Sequence, residues 1–318
     1  MNRSLPWPAA IAACALLASC APAPLMMGVV DPERVTNGAV AAEAHNCTLQ
    51  RRASVPVTMA GLPLVPATIN GRPARLILDT GAELSIISGP AAKRLGVTSK
   101  YDFARSMHGI GEAVQTGDAR LDSMLLGGAK LDYPRLLVGP IALSLAGVAP
   151  DGLLGASLLS EFDLDLDLPN RRLELYARMD CPTFTPPWSG RFSTIETTRS
   201  LSSHPFFPIQ LNGRTLTASL DTGAQRTVLT AAAAKGAGIG AGTRVPGLDG
   251  RAIGAMGESL PTETHSLRLR IGNNAGAMAV MVTPLSLPDE IDALIGADFL
   301  QTHRVWLSYG SRRLFVAN

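Results

Sequence analysis

From about Val55 onward the chain is written in short apolar runs broken by turn residues, the pattern of β-strands. Val55–Met59 and Leu64–Ile69 lead to Asn70-Gly71, a hairpin-turn dipeptide, and Arg75–Leu78 runs into Asp79. Ser85–Ser88 is a further short strand. Pro90–Leu95 predicts a short helix that Gly96 stops. Strand patterns recur around 121–126 and 136–138, and Ala156–Phe162 predicts a second short helix. Asp163–Leu168 alternates strictly, Pro169-Asn170 turns it, and Arg171–Tyr176 returns.

The same order then begins again. Phe207–Leu211, Asn212-Gly213 and Ala218–Leu220 lead to Asp221, 142 residues after Asp79. Thr227–Leu229, a helix over 230–235, Asp292–Gly296, a helix over 297–300 and a closing hairpin over 304–316 follow. A repeat of this length is a duplicated domain, not a solenoid. At its centre stand Leu76-Ile77-Leu78-Asp79-Thr80-Gly81-Ala82 and Ala218-Ser219-Leu220-Asp221-Thr222-Gly223-Ala224. A carboxylate that ends an apolar strand is costly to hold without compensation, so two of them in equivalent places point to halves that bring them together.

At 318 residues the chain can hold two domains of ordinary size, and 46% hydrophobic against 17% charged residues excludes a disordered polyelectrolyte. A formal charge of +2 without basic clusters gives no case for nucleic acid. Residues 1–20 differ from the rest. A thin positive start and the apolar run Ala9–Ala18 make a signal-peptide core too short to span a bilayer. It ends in Leu17-Ala18-Ser19-Cys20, which resembles a lipobox and makes Cys20 the expected lipidation site. Residues 21–50 read as a tether and arm, 51–179 as the first domain, 180–200 as a linker from its Pro, Ser and Thr content, and 201–318 as the second domain. Export leaves Cys47 and Cys181, one on either side of the first repeat, as an expected disulfide.

Each half resembles a retropepsin-like aspartic protease subunit. The matching parts are an apolar strand into Asp-Thr-Gly-Ala, a glycine-rich flap, and Leu153-Leu154-Gly155 or Leu294-Ile295-Gly296 before a short helix. The resemblance covers about 55–178 and 195–318, and it implies an all-β, bilobal acid-protease fold of two β-barrel domains in pseudo-two-fold arrangement. It implies that Asp79 and Asp221 are a catalytic pair, one ionised and one protonated, with a water between them. Thr80 and Thr222 would cross-bond beneath the pair. Gly81 and Gly223 would let the carboxylates approach, Ala82 and Ala224 would complete the turns, and Gly155 and Gly296 would leave them room. Gly109, Ile110 and Gly111 would tip one flap, and Ala255, Met256 and Gly257 the other, over an extended polypeptide substrate. Many acid-acting relatives carry Ser where this chain has Ala82 and Ala224. Loss of that donor implies higher dyad pKa values and activity from mildly acidic to neutral pH.

Other motifs carry blander readings. Asp163, Asp165, Asp167 and Glu174 imitate calcium-loop spacing, but Leu168 replaces the required glycine, and a solvated strand face is expected. Gly236–Gly242 follows a helix and has no phosphate-loop lysine, which predicts a flexible loop. His108 is expected to be a surface histidine. No metal and no cofactor is called for. The resulting expectation is an exported, lipid-anchored aspartic endopeptidase, a monomer with an internal pseudo-dimer. The competing classes are a non-catalytic peptide-binding lipoprotein and a hydrolase of small amides or esters.

Overall fold

The computed structural model of the protein describes residues 47–108, 113–132, 134–141, 145, 147, 149–199, 204–255, 257–287 and 291–318. Cys20, the export segment, residues 21–46 of the arm, and the flap residues Gly109, Ile110, Gly111 and Met256 lie outside them. Strands dominate. The two lead-in hairpins have near-identical inside–outside patterns, Pro63–Ile69 with Arg72–Leu78 and Pro205–Leu211 with Arg214–Leu220. Their turns place Asn70 and Gly71 at φ 49° and 72°, and Asn212 and Gly213 at 51° and 75°. Two successive positive φ values make the two-residue turn whose twist matches that of the flanking strands, which is why Asn-Gly occurs at both places.

Each aspartate-bearing strand is then flanked by a strand from much later in the same half. Gly152–Leu154 runs parallel to Leu76–Leu78 and antiparallel to Ile86–Ile87. Ala293–Ile295 does the same against Ala218–Leu220 and Val228–Leu229. The strand ends are thus held on both sides, as a precisely placed carboxylate requires. Asp151 caps one arrangement by accepting from Arg75 N at 2.8 Å, and Asp292 caps the other by accepting from Thr217 N at 2.9 Å. The predicted helices form at Gly89–Leu95 and Ala231–Gly236, N-capped by Ser88 and Thr230.

The closing hairpins do not stay within their halves. They merge into one six-stranded sheet ordered Arg51–Pro56, Arg172–Ala177, Phe162–Asp167, Val305–Ser308, Arg313–Ala317, Phe192–Glu196. Its middle joint pairs Leu164 with Leu307 and Asp165 with Trp306, one residue from each half. A local two-fold relation passes through that joint, since each flank presents the equivalent strands in mirrored order.

This sheet corrects two expectations. The acidic face is not solvated: Asp163 and Asp165 have no exposed surface, Asp167 is 1% and Glu174 5% exposed. Asp163 accepts from Ser308 Oγ at 2.9 Å, Gly310 N at 3.0 Å and Met179 N at 3.2 Å. Asp165 takes a two-pronged guanidinium from Arg304 at 2.9 and 2.6 Å, with Trp188 Nε1 at 3.3 Å. Glu174 meets Ser54 and Arg172, and Asp167 accepts from Asn170. Nor is 180–200 a bare linker. Phe192–Glu196 is the sheet's last strand, and Cys181, Phe184 and Trp188 pack with Tyr176, Trp306 and Phe315 in an aromatic cluster. Proline-rich composition marked a segment with little regular structure, whereas its aromatic residues bury it. A disulfide joins Cys47 to Cys181 at the start of this segment.

Candidate active site

The two Asp-Thr-Gly-Ala turns meet on the local two-fold. Asp79 N donates to Leu154 O at 3.0 Å and Asp221 N to Ile295 O at 2.9 Å, so the last ladder bond of each strand fixes the backbone that bears the carboxylate. The turn then folds back on the side chain. Asp79 Oδ1 accepts from Gly81 N at 3.1 Å and Ala82 N at 3.0 Å. Asp221 Oδ1 accepts from Gly223 N at 2.8 Å and Ala224 N at 3.0 Å. Each carboxyl therefore spends its inner oxygen on its own turn, and the two side chains hydrogen-bond to each other.

Beneath them the threonines cross. Thr80 Oγ1 donates to Leu220 O at 2.7 Å and accepts from Thr222 N at 3.1 Å. Thr222 Oγ1 donates to Leu78 O at 2.6 Å and accepts from Thr80 N at 2.9 Å. Both threonines are buried, so these four bonds tie the halves together with little competition from water. The glycines have a steric cause different from a special backbone angle. A Cβ on Gly81 would sit 2.4 Å from Asp221 Cγ, and one on Gly223 would sit 2.4 Å from Asp79 Cγ. Each glycine faces the opposite aspartate, so only hydrogen in place of a side chain lets the carboxyls meet. Gly155 and Gly296 are confined in the same way against Ala82 O and the Arg226 carbonyl carbon.

Burial pushes the Asp79 carboxyl well above the usual carboxylate range, and the charge of Asp221 adds to the rise. Burial also raises Asp221. The Gly223 and Ala224 amides, the hydrogen bond with Asp79 and the charge of His204 oppose that rise. Two acids in contact with one proton between them, held at the end of apolar strands, can take a proton from water and polarise a carbonyl in the same step.

Several supports escaped the sequence reading. Ser85 Oγ accepts from Gly155 N at 2.9 Å, and Thr227 Oγ1 accepts from Gly296 N at 3.1 Å. Asp298 in turn accepts from Thr227 Oγ1 and N. Ser85 and Thr227 stand six residues past their aspartates, so overlaying the repeats would have found them. Buried His204 was also missed. At the expected second flap, Gly250–Ile253 pairs with Ser259–Thr262, Gly257 takes φ 92°, and Ala255 packs against the Leu62, Ile77 and Ile86 cluster of the first half. Thr98–His108 and Ala113–Arg120 pair antiparallel on either side of the expected first flap tip, with His108 opposite Ala113. Among the described residues no cluster of His, Cys, Asp and Glu could hold a metal ion, and no helix is long and apolar enough to cross a membrane.

Comparison with known families agrees with this geometry. Residues 65–158 match the aspartyl protease family model, and residues 207–302 match that of the aspartyl protease of gag polyproteins. The chain belongs to the retropepsin-like aspartyl protease family, with two such domains in tandem. A search of curated proteins found no relative matching it.

Proposed function

We propose that the protein is an aspartic endopeptidase acting on exported polypeptides, with Asp79 and Asp221 as its catalytic residues. The observation that carries this reading is the threonine-crossed pair, in which each carboxyl is fixed by its own turn and faces the other. In the reaction, the ionised carboxylate takes a proton from the bridging water while the protonated partner hydrogen-bonds the scissile carbonyl oxygen. Water oxygen bonds to the carbonyl carbon and gives a tetrahedral diol. The dyad then hands a proton to the amide nitrogen, the C–N bond breaks, and a carboxylic acid and an amine leave. Substrate lies extended under the flaps and pairs through its backbone. Lipid attached at Cys20 anchors the chain to a bacterial membrane facing the periplasm, and the two halves make a dimer partner unnecessary.

The test is cleavage of a diverse peptide library from about pH 3 to 8, with and without pepstatin, against Asp221→Asn. Cleavage lost in the variant supports the reading. Peptide binding without cleavage by wild type would instead support a binding lipoprotein, and turnover confined to small amides would support the hydrolase alternative. Loss of fatty-acid labelling in Cys20→Ala tests the anchor.

A further inference from the structure

The second half leaves open a strand edge that the first half ties to its neighbouring helix. Val228–Thr230 runs parallel to Met281–Thr283, as Ser85–Ser88 does to Leu136–Gly139. Each ladder could continue through the amide of Thr227 or Ser85, but Asp298 takes the one at 2.9 Å and Ser157 Oγ the other at 2.9 Å. Ser157 Oγ also lies 3.3 Å from Arg135 O and can donate to it, bridging helix and strand. A carboxylate can only accept, so Asp298 has nothing to give Ala279 O, the equivalent carbonyl. Met281 N donates to Thr227 O at 3.0 Å, which turns the backbone groups of residue 281 away from Ser259–Ile271. Alternation turns those of Ala279, Ala277 and Ala275 the same way, and among the described residues no strand pairs with them there. The edge is held at both ends, by the Met281 rung and by Asn273 N donating to Ser193 Oγ at 2.8 Å. Beside it runs a groove of about 620 Å³, lined by buried Leu269, Ile271 and Phe299 and half-buried Met278. The groove begins at Gln225 and Arg226, directly after the turn that bears Asp221.

We propose that this edge is a second polypeptide-binding site, outside the catalytic cleft, where an extended segment alternating apolar and acidic residues adds itself as a strand beside residues 274–279. Unpaired amides and carbonyls at strand spacing are what an added strand bonds to. Exposed edges are usually blunted by a charge, a proline or a bulge, and Asn274-Ala275-Gly276-Ala277-Met278-Ala279 has none of these. One face of the added strand would fall on the apolar lining of the groove. The other face would stand beyond Ala275 and Ala277, whose cross-strand partners are the exposed Arg270 and Arg268. Two strand spacings are about 10 Å, which an arginine and a glutamate span together over an alanine. Glu263, the one acid of the arginine-bearing strand, is engaged by Arg244 instead. Charge complementarity therefore selects an acidic outer face on the occupant. Gln225 links the groove to the cleft, since its amide lies against Gly61 of the first half. A long polypeptide held in the cleft can thus extend into the groove.

Only the identity of the occupant as part of a substrate rests on the peptidase reading. The probe is a peptide of about ten residues alternating Glu and Val, added to the full chain carrying Asp221→Asn so that nothing is cut. Amide hydrogen exchange at Ala275 and Ala277 should slow by about tenfold or more when it binds. Ala277→Pro removes an outward amide and no rung to Ser259–Ile271, so it should weaken the peptide about tenfold and leave the fold intact. Arg268→Glu with Arg270→Glu changes only exposed side chains. It should weaken the Glu-Val peptide by about tenfold and favour a Lys-Val peptide in its place. Unchanged exchange at Ala275 and Ala277, or equal affinity in all three proteins, overturns the inference. So does protection of these amides without peptide in a dimer that grows with concentration, which would make a second copy the occupant. Wild type that cuts peptides while the groove stays empty sinks this inference alone. Wild type that cuts nothing while the groove fills sinks the peptidase reading alone.

Discussion

Thr222→Val tests the joint between the halves with the least change of shape. Valine fills nearly the same volume, so the loss is confined to what the hydroxyl does. It donates to Leu78 O at 2.6 Å and accepts from Thr80 N at 2.9 Å. Both partners are backbone groups of the other half, and Thr222 has no exposed surface, so no solvent enters to replace it. A buried polar group left without its partner costs about 1–3 kcal/mol, which puts the destabilisation at roughly 2–6 kcal/mol for the two. Thr80→Val should cost a similar amount, since Thr80 makes the mirrored pair of bonds to Leu220 O and from Thr222 N. No bond in this set joins one hydroxyl to the other. Each hydroxyl nevertheless accepts from the other threonine's backbone, so the two sites belong to one network and the double variant should depart from the sum of the single losses by about 0.5–3 kcal/mol. The assay is urea denaturation followed by the fluorescence of Trp306, in the sheet that joins the halves, and of Trp188, which packs against it. Turnover should fall with stability, because the same bonds fix the backbone that carries Asp79 and Asp221. A Thr222→Val loss below about 1 kcal/mol would refute the reasoning, since it would mean that water or a backbone shift satisfies the orphaned groups.

Other perturbations have equally definite outcomes. Cys47→Ser with Cys181→Ser opens a loop of 134 residues and should cost about 4–5 kcal/mol on the loop-entropy account, read as a lower denaturation midpoint. Arg304→Met leaves the buried Asp165 carboxylate without its guanidinium and should cost about 3–5 kcal/mol, much of it recovered by adding Asp165→Leu. Ala82→Ser with Ala224→Ser adds a hydroxyl beside each inner carboxylate oxygen. This should stabilise the ionised dyad and move the acidic limb of kcat/KM to lower pH. Asp79→Asn should abolish turnover and stabilise the fold as pH rises. A carboxyl raised by burial contributes stability that is complete below its unfolded value and lost as pH climbs through the folded one. The asparagine has no such loss, so the two proteins should match in strong acid and diverge toward neutral pH in thermal melts.

What the sequence disclosed and what it hid divide along a physical line. The lead-in hairpins, the capped helices and the turn that bears each aspartate depend on neighbours in the chain, and Asn-Gly, Asp-Thr-Gly and the flanking apolar runs announce them locally. The approach of Gly81 to Asp221 is not local, but the repeat encodes it, because a fold copied onto itself across a two-fold must bring equivalent turns together. The acidic strand Asp163–Asp167 shows where this kind of reasoning stops. Its alternation is the pattern of a sheet with one wet face, and the equivalent hairpin of the second half carries Arg304, Trp306 and Ser308 in place of the acids. In the structure that difference has a role, since Arg304 grips Asp165 and Ser308 donates to Asp163 across the joint. Identical threonines cross-bond at the dyad because each supplies both a hydroxyl and an amide, whereas the carboxylates of one closing hairpin find donors in the other only because the two hairpins differ in sequence.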